Sequence, residues 1–213
     1  RQARFRLPAE LVRDNALAAS GLLVPTVGGP SVRPYMPKGV WDETNFYGNL
    51  RNYKNDSGDG LYRRSLYTIW KRTAAPPSMM LFDAPGREVC TVRRGRTNTP
   101  LQALALMNEV TFVEAARVLA TRAMKDGGGG AEARVAHAFR LALGRPPSGA
   151  ELKVLVAGLA KRADAFKANP DAAKRLLAQG ETRPDAALDP VELAAYTVTA
   201  SVILNLDEAI TRE

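Results

Sequence analysis

Between Leu61 and Asn98 the chain sets Arg63, Arg64, Lys71, Arg72, Arg87, Arg93, Arg94 and Arg96 against only Asp83 and Glu88. This segment holds six of the eight net positive charges of the 213-residue sequence, and Tyr62, Tyr67, Trp70 and Phe82 are interleaved with them. Guanidinium forks grip phosphate, sulfate or carboxylate bidentately, and aromatic faces offer stacking platforms. The chemistry this mixture favours is anion recognition. We take Arg63, Arg64, Trp70, Lys71, Arg72, Arg87, Arg93, Arg94 and Arg96 as the candidate binding residues. The competing use of the same arginines is internal: hydrogen bonds to loop carbonyls and pairs with Asp42, Glu43, Asp83 or Glu88.

Those four carboxylates are the only ones beside the cluster that could do acid–base work. A glycosidase-like pair must hold its carboxyl groups roughly 5–10 Å apart. Arginine neighbours lower carboxyl pKa values, which suits anchoring better than proton donation. No catalytic residue is assigned. Asn55-Asp56-Ser57-Gly58-Asp59-Gly60 resembles a calcium loop, but its twelfth position is Leu66 where a bidentate Glu is needed, so an Asx-rich turn is expected. His137, the single histidine, lies away from Val135 and Phe139 on its helix with no acid or cysteine within a turn, which suits a structural role. Cys90, between Val89 and Val92, is expected to behave as a small buried hydrophobe. One cysteine allows no intrachain disulfide and no Cys-x-x-Cys-His haem site, and one histidine allows no His-rich metal site built by this chain alone. No nucleotide-binding glycine motif or zinc-protease motif occurs. No cofactor or metal is expected.

The elements that must position these residues are mostly helical. Thr99-Pro100-Leu101-Gln102 and Ser148-Gly149-Ala150-Glu151 read as capping boxes, and Asp189-Pro190 and Asn169-Pro170 as further starts. Apolar stripes such as Leu152, Leu155, Val156, Leu159, Ala163 and Phe166 agree. In 110–125, Phe112, Val113, Ala116, Leu119, Ala120 and Ala123 oppose Glu114, Arg117, Arg122 and Lys125. The patterns predict helices near 8–20, 100–108, 110–125, 131–143, 149–168, 170–179 and 190–207. Residues 25–60, rich in glycine and proline, form a long irregular arm, which Trp41, Phe46, Tyr47 and Tyr53 suggest drapes over the domain. Residues 126–130 read as a flexible glycine linker within one domain of 1–213. Leu66–Trp70 fits either a strand or, through Leu66, Ile69 and Trp70, a helical face, and Glu88–Val92 has the β-branched content of a short strand, so one small hairpin would satisfy both. The fold class is thus mainly α, with a wrapping arm and at most one hairpin.

No run is long and apolar enough for a membrane span. The start, Arg1-Gln2-Ala3-Arg4-Phe5, reads as the interior of a longer protein. A pI near 9.9 favours acidic partners.

Several blocks together resemble one family: Arg63 to Thr73, Phe82-Asp83-Ala84-Pro85, Arg87-Glu88-Val89-Cys90, and Arg96-Thr97-Asn98-Thr99-Pro100-Leu101-Gln102-Ala103-Leu104. Arg6-Leu7-Pro8-Ala9-Glu10, Gly28-Gly29-Pro30-Ser31-Val32, Leu143-Gly144-Arg145-Pro146-Pro147 and Leu204-Asn205-Leu206-Asp207-Glu208 extend the likeness along the chain. The family is the C-terminal domain of unknown function of large secreted planctomycete proteins, often accompanied by a cytochrome-c-like domain. The resemblance implies export to the periplasm, cell envelope or medium, and companion domains. It supplies no catalytic residues. Export makes nucleic acid a poor partner and favours an anionic polysaccharide or the protein's own preceding domains. The expectation is a non-catalytic docking module that seats an anionic glycan or an acidic partner domain. The alternative is a part of a larger haem-linked or carbohydrate-processing enzyme. The oligomeric state stays open.

Overall fold

Proline, serine and asparagine starts set the helix order seen in a computed structural model, which describes residues 5–41, 53–71 and 73–212. In chain order the elements are β1 (Phe5–Arg6), α1 (Ala9–Ser20), α2 (Asp59–Tyr62), a 3-10 turn (Ser65–Tyr67), α3 (Pro77–Leu81), α4 (Pro100–Asn108) and α5 (Val110–Asp126). These are followed by α6 (Ala131–Leu143), α7 (Gly149–Ala168), α8 (Pro170–Leu177), α9 (Pro190–Leu204), α10 (Asp207–Ile210) and β2 (Thr211–Arg212). The protein is mainly helical.

The caps work as the sequence implies. Ser148 Oγ accepts from Glu151 N while the Glu151 carboxylate accepts from Ser148 N. Asn169 caps α8 through Ala172 N, and Asp189 caps α9 through Glu192 N. At α4 the Gln102 side chain takes up Thr99 N. Each bond satisfies a helix-end donor that has no partner within the helix.

Helices α5 and α9 form the centre. Alanines at 115, 116, 120 and 123 on α5 and at 194, 195 and 200 on α9 are buried, and such small residues let the backbones approach closely. Leu119, Leu193, Ile203 and Phe139 fill the remaining space, with α1, α6, α7 and α8 packed around the pair. Gly127 permits another close approach: a Cβ there would sit 2.8 Å from Arg134 Cα and 2.4 Å from Ala123 O. The start of the glycine linker is therefore fitted tightly between α5 and α6.

The strand pair lies elsewhere than expected. Phe5 and Arg6 pair antiparallel with Arg212 and Thr211, so the ribbon joins the two ends of the described chain. Glu88–Val92 forms no strand; it runs through exposed bends, and no strand among the described residues pairs with it. Ser65–Tyr67 is a 3-10 turn rather than a strand.

The arm drapes in its described part. Val24 N donates to Tyr62 O, Val32 N to Tyr67 O, and Ile69 N to Val32 O, which lays the arm beside 62–69. Asp56 exchanges bonds with the Arg33 backbone, using both its own amide and its carboxylate. Trp41 is buried, edge-on to Tyr53 with ring centroids 4.9 Å apart. Asp42, Glu43, Phe46, Tyr47 and Arg72 lie outside the described residues.

Candidate functional site: an arginine cluster in two parts

Arg63 points inward. Its guanidinium donates to Pro30 O at 3.0 Å, to Thr26 O at 3.3 Å and to Gly28 O, and lies over the Tyr67 ring at 4.0 Å. It is 8% exposed. Carbonyls turned inward by the Gly28-Gly29-Pro30 turn need a donor, and a planar fork supplies several at once. Arg63 thus pins the arm, and it is turned away from any external ligand. Arg64, its neighbour, is exposed. Trp70 is half-buried, with Nε1 donating to Gly86 O at 3.3 Å, and Lys71 lies over the Trp41 ring at 5.0 Å.

The second part points outward. Arg87–Asn98 is twelve consecutive exposed residues. Its path is set by α3, whose end closes with Ala84 N bonded to Met79 O and Asp83 N to Met80 O. That pair of hydrogen bonds is a Schellman cap, and it requires the left-handed conformation that Asp83 adopts at φ 61°. Asp83 also anchors the far end of the loop: its carboxylate accepts from Thr97 N at 2.7 Å and from Thr97 Oγ1. Arg87 is likewise left-handed at φ 61°, its guanidinium 4.4 Å above the Trp70 ring. Arg96 lies 4.8 Å over Phe5. Arg94 bonds Glu10 at 2.7 Å. Burial pushes the Glu10 carboxyl up, but the Arg94 hydrogen bond, its own main-chain bond and the charges of Arg94 and Arg87 hold it below the usual range. A cleft of about 390 Å³ lies between the loop and the start of α1, lined by Phe5, Pro8, Phe82, Asp83, Arg93 and Arg96 among others.

Most of the other shared blocks turn out to be fastenings. Arg6 donates to Thr97 O and to the Gln102 carbonyl oxygen, with its guanidinium 5.4 Å over Phe82. Gln102 in turn donates to Leu81 O at 2.8 Å. Arg145 grips Glu151 and Glu208 together, which ties α7 to α10. The Arg145 bond, reinforced by Ser148, brings the Glu151 carboxyl down to about 2. Asn205 donates to Ala103 O.

A buried polar cluster escaped the sequence reading. Glu114 and Arg117, expected on the outer side of α5, are both interior. Glu114 Oε1 accepts from Tyr62 OH at 3.0 Å and from Thr182 N and Oγ1 at 2.7 Å, while Arg117 donates to Gln179 O and Thr182 O. Burial, and then the Glu114 charge, push Tyr35 up to about 12 and raise Tyr62 as well. Gly180, at φ +84°, lies so near that a Cβ would stand 2.3 Å from Glu114 Cδ. Arg13 is a second such case, donating to Arg63 O at 3.0 Å and to Leu61 O. Gly180 is the one local sign of this crowding in the sequence.

Asp83 is occupied by Thr97, and Glu88 is exposed. Asp56 of the Asx-rich loop faces the arm. Cys90 is exposed rather than buried, because the loop that carries it leaves the surface after Gly86. His137 is half-buried. Among the described residues no group of three metal-ligating side chains occurs, and no helix is long and apolar enough to cross a membrane. A family model described as PSD1, protein of unknown function (DUF1553), matches residues 1–159. No curated protein and no solved structure matches the chain.

Proposed function

The chain belongs to the PSD1 family of proteins of unknown function (DUF1553), and from that premise we propose that it is a non-catalytic docking module whose exposed Arg87–Arg96 loop seats an acidic protein face. One observation carries the reading. Of the four arginines in this loop, only Arg94 meets a carboxylate among the described residues; Arg87 and Arg96 meet ring faces, and Arg93 meets no polar partner. Positive potential is therefore directed outward, where it steers and orients an acidic partner. The exposed Val89 and Val92 on the same loop favour a protein face over a glycan, since a partner surface can bury them. Arg64 extends the cationic surface, and Arg63 is left out because both of its terminal nitrogens are engaged by arm carbonyls.

The resemblance to secreted planctomycete proteins supplies the setting: an exported chain whose partner is a preceding domain of the same protein. Hydrogen–deuterium exchange compares the 213-residue chain with that longer protein. Amides of 87–98 are expected to be protected in the longer protein, with protection lost after Arg87→Glu, Arg93→Glu and Arg96→Glu together. Equal exchange in both proteins overturns the reading. Protection that appears in the isolated chain only on adding heparin moves the assignment to an anionic glycan.

A further inference from the structure

Helix α4 is uncharged all round, and its polar side chains are Gln102, bonded inward to Leu81 O, and Asn108, which donates to Leu104 O of its own helix. Its nine residues, Pro100 to Asn108, include no charged side chain. Gln102 and Leu106 face inward and are buried, yet Leu101, Leu104 and Met107 on the outer side are 61%, 53% and 47% exposed. A helix of this composition normally lies inside a protein, and a surface helix normally carries charge outward. The outer stripe is continuous with the cationic loop along the chain. Arg96 and Leu101 are five residues apart, about 17 Å at most, and Asp83, Arg6 and Gln102 hold the intervening turn in place.

Resting on the docking reading above, we infer that α4 and the loop form one two-part seat for an amphipathic helix. Its apolar face covers Leu101, Leu104 and Met107, and its flanking carboxylates meet Arg93 and Arg96. The unneutralised guanidiniums select an acidic occupant. A second copy of this chain fits poorly, because at net charge +8 it would bring like-charged loops together. A lipid surface fits poorly as well: interface-seeking helices carry Lys and Arg on their own polar face, and α4 has none.

The probe is a synthetic peptide about 18 residues long with leucines at i, i+3, i+4 and i+7 and glutamates beside them. Its binding to the 213-residue chain is read by titration calorimetry, next to a lysine-for-glutamate control, phosphatidylglycerol vesicles and sedimentation of the chain alone. The glutamate peptide is expected to bind and the lysine control not to bind. Leu101→Ser with Leu104→Ser is expected to weaken binding at least tenfold with the melting temperature unchanged. Arg93→Ala with Arg96→Ala is expected to weaken it and flatten its salt dependence. If only the arginine pair matters, the two-part seat falls and the docking reading survives. If only the leucine pair matters, the docking reading falls and takes the seat with it. No peptide binding, vesicle binding in its place, or self-association abolished by the serine pair each overturns the inference.

Discussion

Arg63 and Arg93 are the same residue type thirty positions apart, in opposite situations. Arg63 sits under a glycine–proline turn whose carbonyls face inward, and its fork satisfies them. Arg93 sits on a loop lifted from the surface by left-handed turns at Asp83 and Arg87, and meets no polar partner among the described residues. A guanidinium turns inward where main-chain oxygens lack donors and outward where none are near. A cationic segment therefore has to be divided by its carbonyl supply before any part of it is read as a binding surface.

The interior arginines give the largest expected effects. Arg117→Met removes the partner of a carboxylate that is wholly interior and leaves Gln179 O and Thr182 O without that donor. Breaking a buried pair in this way costs about 3–5 kcal/mol, because the charge left behind is uncompensated. Urea unfolding should show the loss, and adding Glu114→Gln to Arg117→Met should recover part of it. A loss below about 1 kcal/mol would show that the cluster is solvated after all.

Arg63→Lys tests the fork itself. Lysine keeps the charge but cannot reach Pro30, Thr26 and Gly28 with one rigid plane, and it surrenders the stacking on Tyr67. A destabilisation of about 1–3 kcal/mol is expected, the cost of one carbonyl left unsatisfied. It should be accompanied by faster proteolysis within 25–41. Stability equal to the parent chain would mean that charge, and not geometry, holds the arm.

Helix positions were legible because their signals are local. Thr99-Pro100, Ser148-to-Glu151, Asn169-Pro170 and Asp189-Pro190 all mark true starts. The division of the arginine cluster was not legible, since it depends on carbonyls at 26–30 that reach Arg63 from over thirty residues away. Glu114 and Arg117 were misplaced for the same reason. Periodicity puts them opposite the stripe of α5, but residues 179–182 and Tyr62 cover that side. Cys90 misled because its valine neighbours look like core, while the turn at Arg87 carries all three outward.

The smallest expected effect is the sharpest test of the comparison. Arg93→Ala removes a side chain that bonds nothing in the described chain, and Arg96→Ala removes one that only overlies the half-exposed Phe5. Surface changes of this kind fall within about 0.5 kcal/mol of neutral. Arg93 also stands beside Arg94, so its removal relieves like-charge repulsion and acts against any loss. Melting temperatures of both variants should therefore match the parent within error, in contrast to Arg63→Lys. A loss above about 1 kcal/mol at Arg93 would mean that its guanidinium holds the fold together, and the outward-facing half of the cluster would lose its claim to a partner.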